Sequence, residues 1–396
     1  MTSSTSRRRF LTGAATAGIA FGAAIPRIGH TARARDPRLI VVVLRGALDG
    51  LSAVPPVGDP AYARIRGALA PANPLPLDGT FALHPRLVHL HQQYKAGQAA
   101  IIHASATAYR DRSHFDGQDV LESGYPVPGH NESGWLNRAL NALPAAQKTR
   151  IRGIAGGNLT PLTLRGPAEV LGWSPGSLRD NDGDLVPRVM DLYRQTDPVL
   201  AKVLDEAVRT GQLAAGYTGP ATLGSLGDPK TMLALADGVS RIMAAADGPR
   251  VAVMAFESWD THASETGRLN VQLGGLDAAL GAFQAGLGPA WRDTAVLVVT
   301  EFGRTAAING TVGTDHGTGA AAILTGGAVK GGRVIADWPG LAPAQLYQGR
   351  DLRPTTDIRA VCKGLLAELY DVPPATLDEV VFPDSGVVRP MTGLVA

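Results

Sequence analysis

The chain has 396 residues, 45% of them hydrophobic and 18% charged, with length enough for a large buried core and, from 48 glycines and 28 prolines, many loops. Its one cysteine, Cys362, excludes an internal disulfide and a metal site built on thiolates. The formal charge of +2 becomes −3 once the five arginines of the first 34 residues (Arg7, Arg8, Arg9, Arg27, Arg33) are set aside, which gives no reason to expect nucleic-acid binding.

Residues 1–34 have the layout of a secretory signal: a basic start, an apolar run, then small residues at Ala32 and Ala34. The run SRRRFL at Ser6–Leu11 resembles the twin-arginine motif, whose export route carries folded proteins. The apolar run is short for a membrane span and contains several glycines. The expected protein is therefore exported, periplasmic or extracellular. Its export partner is the twin-arginine machinery, and its mature form has no stable membrane span.

In the mature chain, Leu39–Leu44 is a near-continuous apolar run rich in valine, as in a strand covered on both faces. It leads through Gly46 to Asp49-Gly50, so the Asp49 carboxylate lies just past the strand's end. Tyr62–Leu69 and Leu83–Gly97 show helical spacing, and Gln98–Ala104 reads as a second strand. After it comes a polar cluster from Tyr109 to Asp119. There Ser113 is placed to cap a helix starting at His114, and a helix N-terminus also favours a bound anion. Ser133–Leu140 opens another helix, and short strands are expected near Arg152–Ala155 and Leu162–Leu164. Residues 178–184 form an acidic connector. Val186–Gln195, Pro198–Thr210 and Thr231–Ala245 read as helices. No repeat or linker cuts the chain, so residues 35–396 read as one domain with a helical insertion near 125–230.

Val251–Phe256 is a third buried strand and leads into Asp260 and His262. A helix over Leu269–Gln284 follows, then a strand at Thr294–Thr300 that ends in Glu301. Asp315 and His316 lie on the next glycine-rich loop, before an apolar run at Ala320–Leu324. A last helix, capped by Thr355 or Thr356, runs to about Tyr370 with Cys362 buried on it. Asp49, Asp260, His262, Glu301, Asp315 and His316 thus all fall at or near strand ends, where α/β folds place their chemistry. Oxygen-rich residues with one or two imidazoles suit a divalent ion such as zinc, magnesium, manganese or calcium, one or two per chain.

The twin-arginine start together with LRGALDG, RSHF, GWLNRAL, WDTH, EFGRT and GTDHGTG resembles the DUF1501 family of exported bacterial proteins, over about residues 38–370. That family in turn resembles the alkaline phosphatase superfamily, which includes sulfatases. The resemblance implies an α/β three-layer sandwich with a largely parallel central sheet. It implies Asp49 at the end of the first strand, Ser113 as nucleophile, and Asp260 and His262 after a middle strand. Glu301 then stands where the superfamily has an aspartate, Phe302 where it has a histidine, and His316 matches a late histidine.

The resemblance implies a metal-dependent hydrolase or transferase for a phosphate or sulfate ester, in a small molecule or a polymer. Asp260, His262 and His316 form one metal side, with Asp49, Glu301 and Asp315 beside the serine. Arg112 or Arg304 would hold the anion, and His114 an oxygen of the leaving or incoming group. Phe302 cannot ligate a metal. The alternative is therefore a non-catalytic exported binding or scaffold protein on a degenerate form of the fold. A metal-free Ser–His–Asp hydrolase is a third possibility, but no G-x-S-x-G elbow is present.

Overall fold

The computed structural model describes residues 35–144, 147, 152–176, 185–214, 217, 219–220 and 222–396. The chain divides into Met1–Asp36, nearly all outside that set, and Pro37–Ala396, which holds every element named below. The expected signal and the acidic connector at 178–184 lie outside the described residues. No helix among the described residues is long and apolar enough to cross a membrane.

The strands are β1 (Arg38–Leu44), β2 (Leu75–Pro76), β3 (Ala82–Leu83), β4 (Ala99–Ala106), β5 (Gly153–Gly156), β6 (Val170–Trp173), β7 (Val251–Phe256), β8 (Thr294–Thr300), β9 (Ala320–Thr325), β10 (Arg333–Ile335) and β11 (Thr356–Asp357). All but the small β2–β3 pair join one mixed sheet in the order β10-β4-β9-β8-β1-β7-β5-β6, with β11 also on β4. Every pairing in that sheet is parallel except the two made by β9.

Alternation along β1 shows why the sheet has two covered faces. Ile40, Val42 and Leu44 pack with Leu87 and Leu90, with Met232 to Met243, and with Leu269 to Leu287. Leu39, Val41 and Val43 pack on the other side with Trp135 to Leu143 and with Val361 to Tyr370. A parallel strand flanked by helices on both faces has no polar side, so its sequence reads as an unbroken apolar run. The architecture is therefore α/β in three layers with a mostly parallel central sheet.

Four local expectations change. Leu162–Leu164 is a short 3-10 turn after Pro161 rather than a strand, and its Thr163 N–H donates to the buried Glu122 carboxylate. The strand on that side is β6, whose exposed and half-buried residues hide its period. Thr356 lies in β11, and Asp357 rather than a threonine caps the helix Ile358–Tyr370 by accepting from Arg359 N. The helix after β7 begins earlier than its apolar pattern suggests, at Glu265, and runs to Leu287.

Strand β4 is interrupted where its register shifts between Ile102 and Ser105. His103 sits in that shift, fully buried. Its Nε2–H donates to Val54 O at 2.9 Å, while Nδ1 accepts from Ala104 N at 2.8 Å. Both nitrogens are thus assigned, and a second ring proton would face an N–H. Burial pushes the His103 pKa down to about 4 from its ordinary 6.5. Between those values the unfolded chain binds a proton that the folded chain refuses, so stability falls as pH falls through that window. The slope is up to about 1.4 kcal/mol per pH unit. Chemical denaturation from pH 7 to 4 should show this loss, and His103→Gln should make the profile shallower, the remaining slope including that of His84, which burial also pushes down to about 4.

Candidate metal centre

Register places the site. Leu44 lies level with Phe256 on one side and Thr300 on the other, so β1, β7 and β8 end in one row. The chain leaves that row three times, towards Asp49, Asp260 and Glu301. β4 also runs in this direction, since it and β8 both pair antiparallel to β9, and it leads to His114. β9 runs the other way, so its start, just after His316, reaches the same edge. Gly46 lets these turns close up. Its φ is +114°, and a Cβ there would lie 2.6 Å from Asp260 N, so only glycine fits.

His114, Asp260 and His316 can each direct one ligand atom to a common point, with those atoms within 4.8 Å of one another. His262 Nε2 joins them, 3.0 Å from Asp260 Oδ1 and 3.0 Å from His316 Nε2. Each ring has an acceptor for its other nitrogen. His114 Nδ1 is 2.8 Å from Glu301 Oε1, His316 Nδ1 is 2.9 Å from Arg112 O, and His262 Nδ1 is 3.1 Å from Asp315 Oδ1. An Nδ1–H donated outward leaves the Nε2 lone pair facing inward, the tautomer a metal ligand needs. His114 Nε2 is 3.4 Å from Asp260 Oδ2 but is buried with no hydrogen-bond partner among the described residues. Two lone pairs 3.0 Å apart repel unless a proton or a cation lies between them. The donor set of imidazoles and one carboxylate suits zinc or manganese better than magnesium or calcium.

The carboxylates are held from behind. Glu301 is fully buried and accepts from Gly46 N at 2.8 Å, from Gln118 Nε2 at 3.2 Å and from Thr300 Oγ1 at 3.0 Å, besides His114. Burial alone would raise its pKa, but the His114 and backbone hydrogen bonds hold it below the ordinary value. Asp260 is held low as well: burial opposes ionisation, and His114, His316 and Arg304 together overcome it. Contacts to Asp260 and Glu301 push His114 up to about 9. In the metal-free chain a proton therefore sits on the ring that an ion would take.

Phe302 is buried with its ring 5.0 Å from His114 and 5.3 Å from His316. It supports the two imidazoles as an apolar floor. Ser113 precedes His114 at the N-cap of the helix His114–Ser123, but its side chain makes no capping bond.

Both arginines expected to hold an anion have protein partners. Arg304 is buried, with Nη1 on Asp260 Oδ1 at 2.5 Å and Nε on Thr314 Oγ1 at 3.1 Å. Arg112 Nε donates to the buried Asp351 carboxylate at 2.8 Å and Nη2 to Gln348 at 2.7 Å. Asp315 faces His262 and Asn309 rather than the triad. Asp49 also points elsewhere: it is fully buried, and its carboxylate pairs with Arg66 and accepts from Leu51 N.

Sequence reasoning did not find Glu265 and Thr314. Glu265 Oε2 accepts from Thr314 Oγ1 at 2.5 Å and Thr261 Oγ1 at 3.1 Å. One buried carboxylate oxygen thus ties together the loops that carry Asp260 and His316. Backbone bonds close the same seam, Thr314 N to Thr261 O and Glu265 N to Val312 O. Ala47, Arg112, Ser258, Ser264 and Val312 have φ from +50° to +72° on the loops around the site, and for a β-branched valine that conformation is strained. The only trace of this seam in the sequence is the repeat of threonine one residue after Asp260 and one before Asp315.

Fold and site together define an α/β protein with a candidate His-Asp-His metal centre at the carboxyl edge of its sheet. The chain belongs to the DUF1501 family, described as a protein of unknown function, whose model matches residues 36–381. No curated protein matches it. Three solved structures are similar. Ps i-CgsB in complex with k-i-k-neocarrahexaose is 11% identical over 90% of this chain and 77% of its own, with a TM-score of 0.44. The lipoteichoic acid synthase LtaP from Listeria monocytogenes is 10% identical over 89% and 76%, at 0.42. Alkaline phosphatase from the Antarctic bacterium TAB5 is 13% identical over 74% and 92%, at 0.36. These are likenesses of fold only.

Ion binding should release about one proton per ion at pH 7, since His114 must lose its proton, and the release should vanish above about pH 9. Apparent affinity should rise with pH by up to about tenfold per unit in between. Calorimetry in buffers of different ionisation heat measures both. Glu301→Gln removes the charge behind His114 and should weaken ion binding by about 10–100-fold.

Proposed function

We propose that this protein is an exported, metal-dependent hydrolase or transferase acting on a phosphate or sulfate ester, with the ion held by His114, Asp260 and His316. One observation carries the reading: His114 Nε2 is buried with no hydrogen-bond partner among the described residues and faces Asp260, 3.4 Å away, and His316, while its Nδ1 is fixed by Glu301. His262 is placed to join as a further ligand. A bound divalent ion would supply Lewis acidity towards an ester oxygen.

The chain's own groups have separate tasks. Ser113, at the uncapped start of a helix of ten residues beside His114, is the nucleophile of this reading. The helix N-terminus it opens favours an anion. Glu301 and the Arg112 carbonyl fix the tautomers of His114 and His316, and Asp315 does the same for His262. Arg304 is a positioning residue: it holds Asp260 and keeps that carboxylate ionised. Export through the twin-arginine route, with residues 1–34 as the signal and 35–396 as the exported domain, is supported by the Ser6–Leu11 run.

A binding protein without turnover is the competing reading. It is favoured by the ion-paired state of Arg112 and Arg304, neither of which is free for a substrate anion.

Purified protein should contain or take up a divalent ion and hydrolyse aryl phosphates, aryl phosphodiesters or aryl sulfates in its presence. His316→Ala should lower ion affinity and activity together by at least about a hundredfold. Ser113→Ala should abolish turnover while leaving ion binding within about twofold. An ion-loaded protein inactive on all three ester classes would favour the binding reading. A chain that takes up none of zinc, manganese, magnesium or calcium would overturn both.

A further inference from the structure

The residues expected to gather into one site are divided by the structure into two groups. One is the open group at His114, Asp260 and His316. The other is a cage of oxygens around the two Nη atoms of Arg66, at the end of the short helix Tyr62–Arg66, with Arg66 Nε buried and unpartnered among the described residues. Arg66 is fully buried, and so are Asp49 and Glu265. Its Nη2 contacts Asp49 Oδ2, lies 2.6 Å from Ser52 Oγ and 3.3 Å from Glu265 Oε1. Its Nη1 donates to Thr305 O and Ala306 O at 3.2 Å each. Ser52 Oγ is itself 2.8 Å from Asp49 Oδ2 and 3.1 Å from Glu265 Oε1.

Two carboxylates, a hydroxyl and two backbone carbonyls converging in a buried space are the kind of donors that a hard divalent cation takes. Here the guanidinium holds them. Charge supports the comparison. Burial and the neighbouring Asp49 raise the Glu265 pKa, while the Arg66 guanidinium holds Asp49 below its ordinary value. Unlike an ion, the guanidinium is covalently tethered and keeps its charge at any working pH.

We propose that Arg66 is a built-in cation that permanently fills this second position, so that the chain takes up a single exchangeable metal ion, at His114, Asp260 and His316. This rests on the metal reading above and fixes its stoichiometry. Asp49, the carboxylate that the family resemblance makes a metal ligand, serves the arginine instead. Phe302 adds no donor atom beside the open group: its ring packs 5.0 Å from His114 and 5.3 Å from His316.

The test uses the full chain, stripped of metal and titrated with manganese(II). One ion per chain is expected, with the six-line electron paramagnetic resonance spectrum of an isolated ion. Two ions per chain, or a spin-coupled pair, would overturn the inference and leave the metal reading standing. No bound ion would overturn the metal reading and the inference with it. Arg66→Ala empties the cage and should take up a second ion; a folded Arg66→Ala chain that still binds one ion counts against the proposal. That variant leaves two buried carboxylates facing each other, so the paired change Asp49→Asn with Arg66→Met provides a second arm. It should bind one ion with affinity within about threefold of the parent, and a loss of about tenfold or more would make Asp49 a ligand after all.

Discussion

The register that sets Leu44 level with both Phe256 and Thr300 determines where every group of the site stands. Side-by-side parallel strands in one register must release their chains at one height. The next few residues of each then compete for the same small volume. Glycine at position 46 and positive φ values at Ala47 and Ser258 are the local conformations that let three turns share it. The apolar runs that specify the strands therefore also specify, without any polar residue taking part, where the polar residues meet.

Burial then constrains their chemistry. A charge removed from water persists only with a partner, and Asp49, Glu265, Glu301, Arg66 and Arg304 are all buried. The result is a continuous line of contacts: Asp49 to Arg66, Arg66 to Glu265, Glu265 to Thr314, Thr314 to Arg304, Arg304 to Asp260, and Asp260 to His114 and on to Glu301. Polar networks of this kind are rigid when fully satisfied. Among the described residues two atoms of this line stay buried without a partner, Arg66 Nε and His114 Nε2, and the second faces other potential ligand atoms, where an ion has something to gain.

The strands were legible in the sequence wherever both faces were covered. Leu39–Leu44, Val251–Phe256 and Thr294–Thr300 announce themselves because a doubly buried strand is apolar on both faces along its middle. The edge strand β6 and the turn at Leu162–Leu164 were not, because partial exposure removes that signature. Within the site, Asp260, His262, Glu301, Asp315 and His316 could be placed at strand ends, since each follows or precedes an apolar run directly. What could not be read was which acid faces which base. Arg66, Thr314 and Glu265 lie far apart in sequence, and their contacts depend on loop conformations that no period records. Asp49 shows the difficulty plainly: its position at a strand end is that of a ligand, and its partner is an arginine seventeen residues away.

The single antiparallel strand has a consequence of its own. Because β9 returns beside β8, the segment between them folds as a hairpin closed by the Arg304–His316 bridge. Glu301 and His316 stand at its two feet, while residues 307–312 form its largely exposed tip. The spacing between these two groups is thus set by cross-strand pairing rather than by the number of residues between them. The tip, though exposed, is tied to the loop that carries His262: Ser264 N and Glu265 N donate to Thr311 O and Val312 O, and Asn309 Nδ2 and Thr311 Oγ1 donate to His262 O, so a change of length at the tip would be felt at the site.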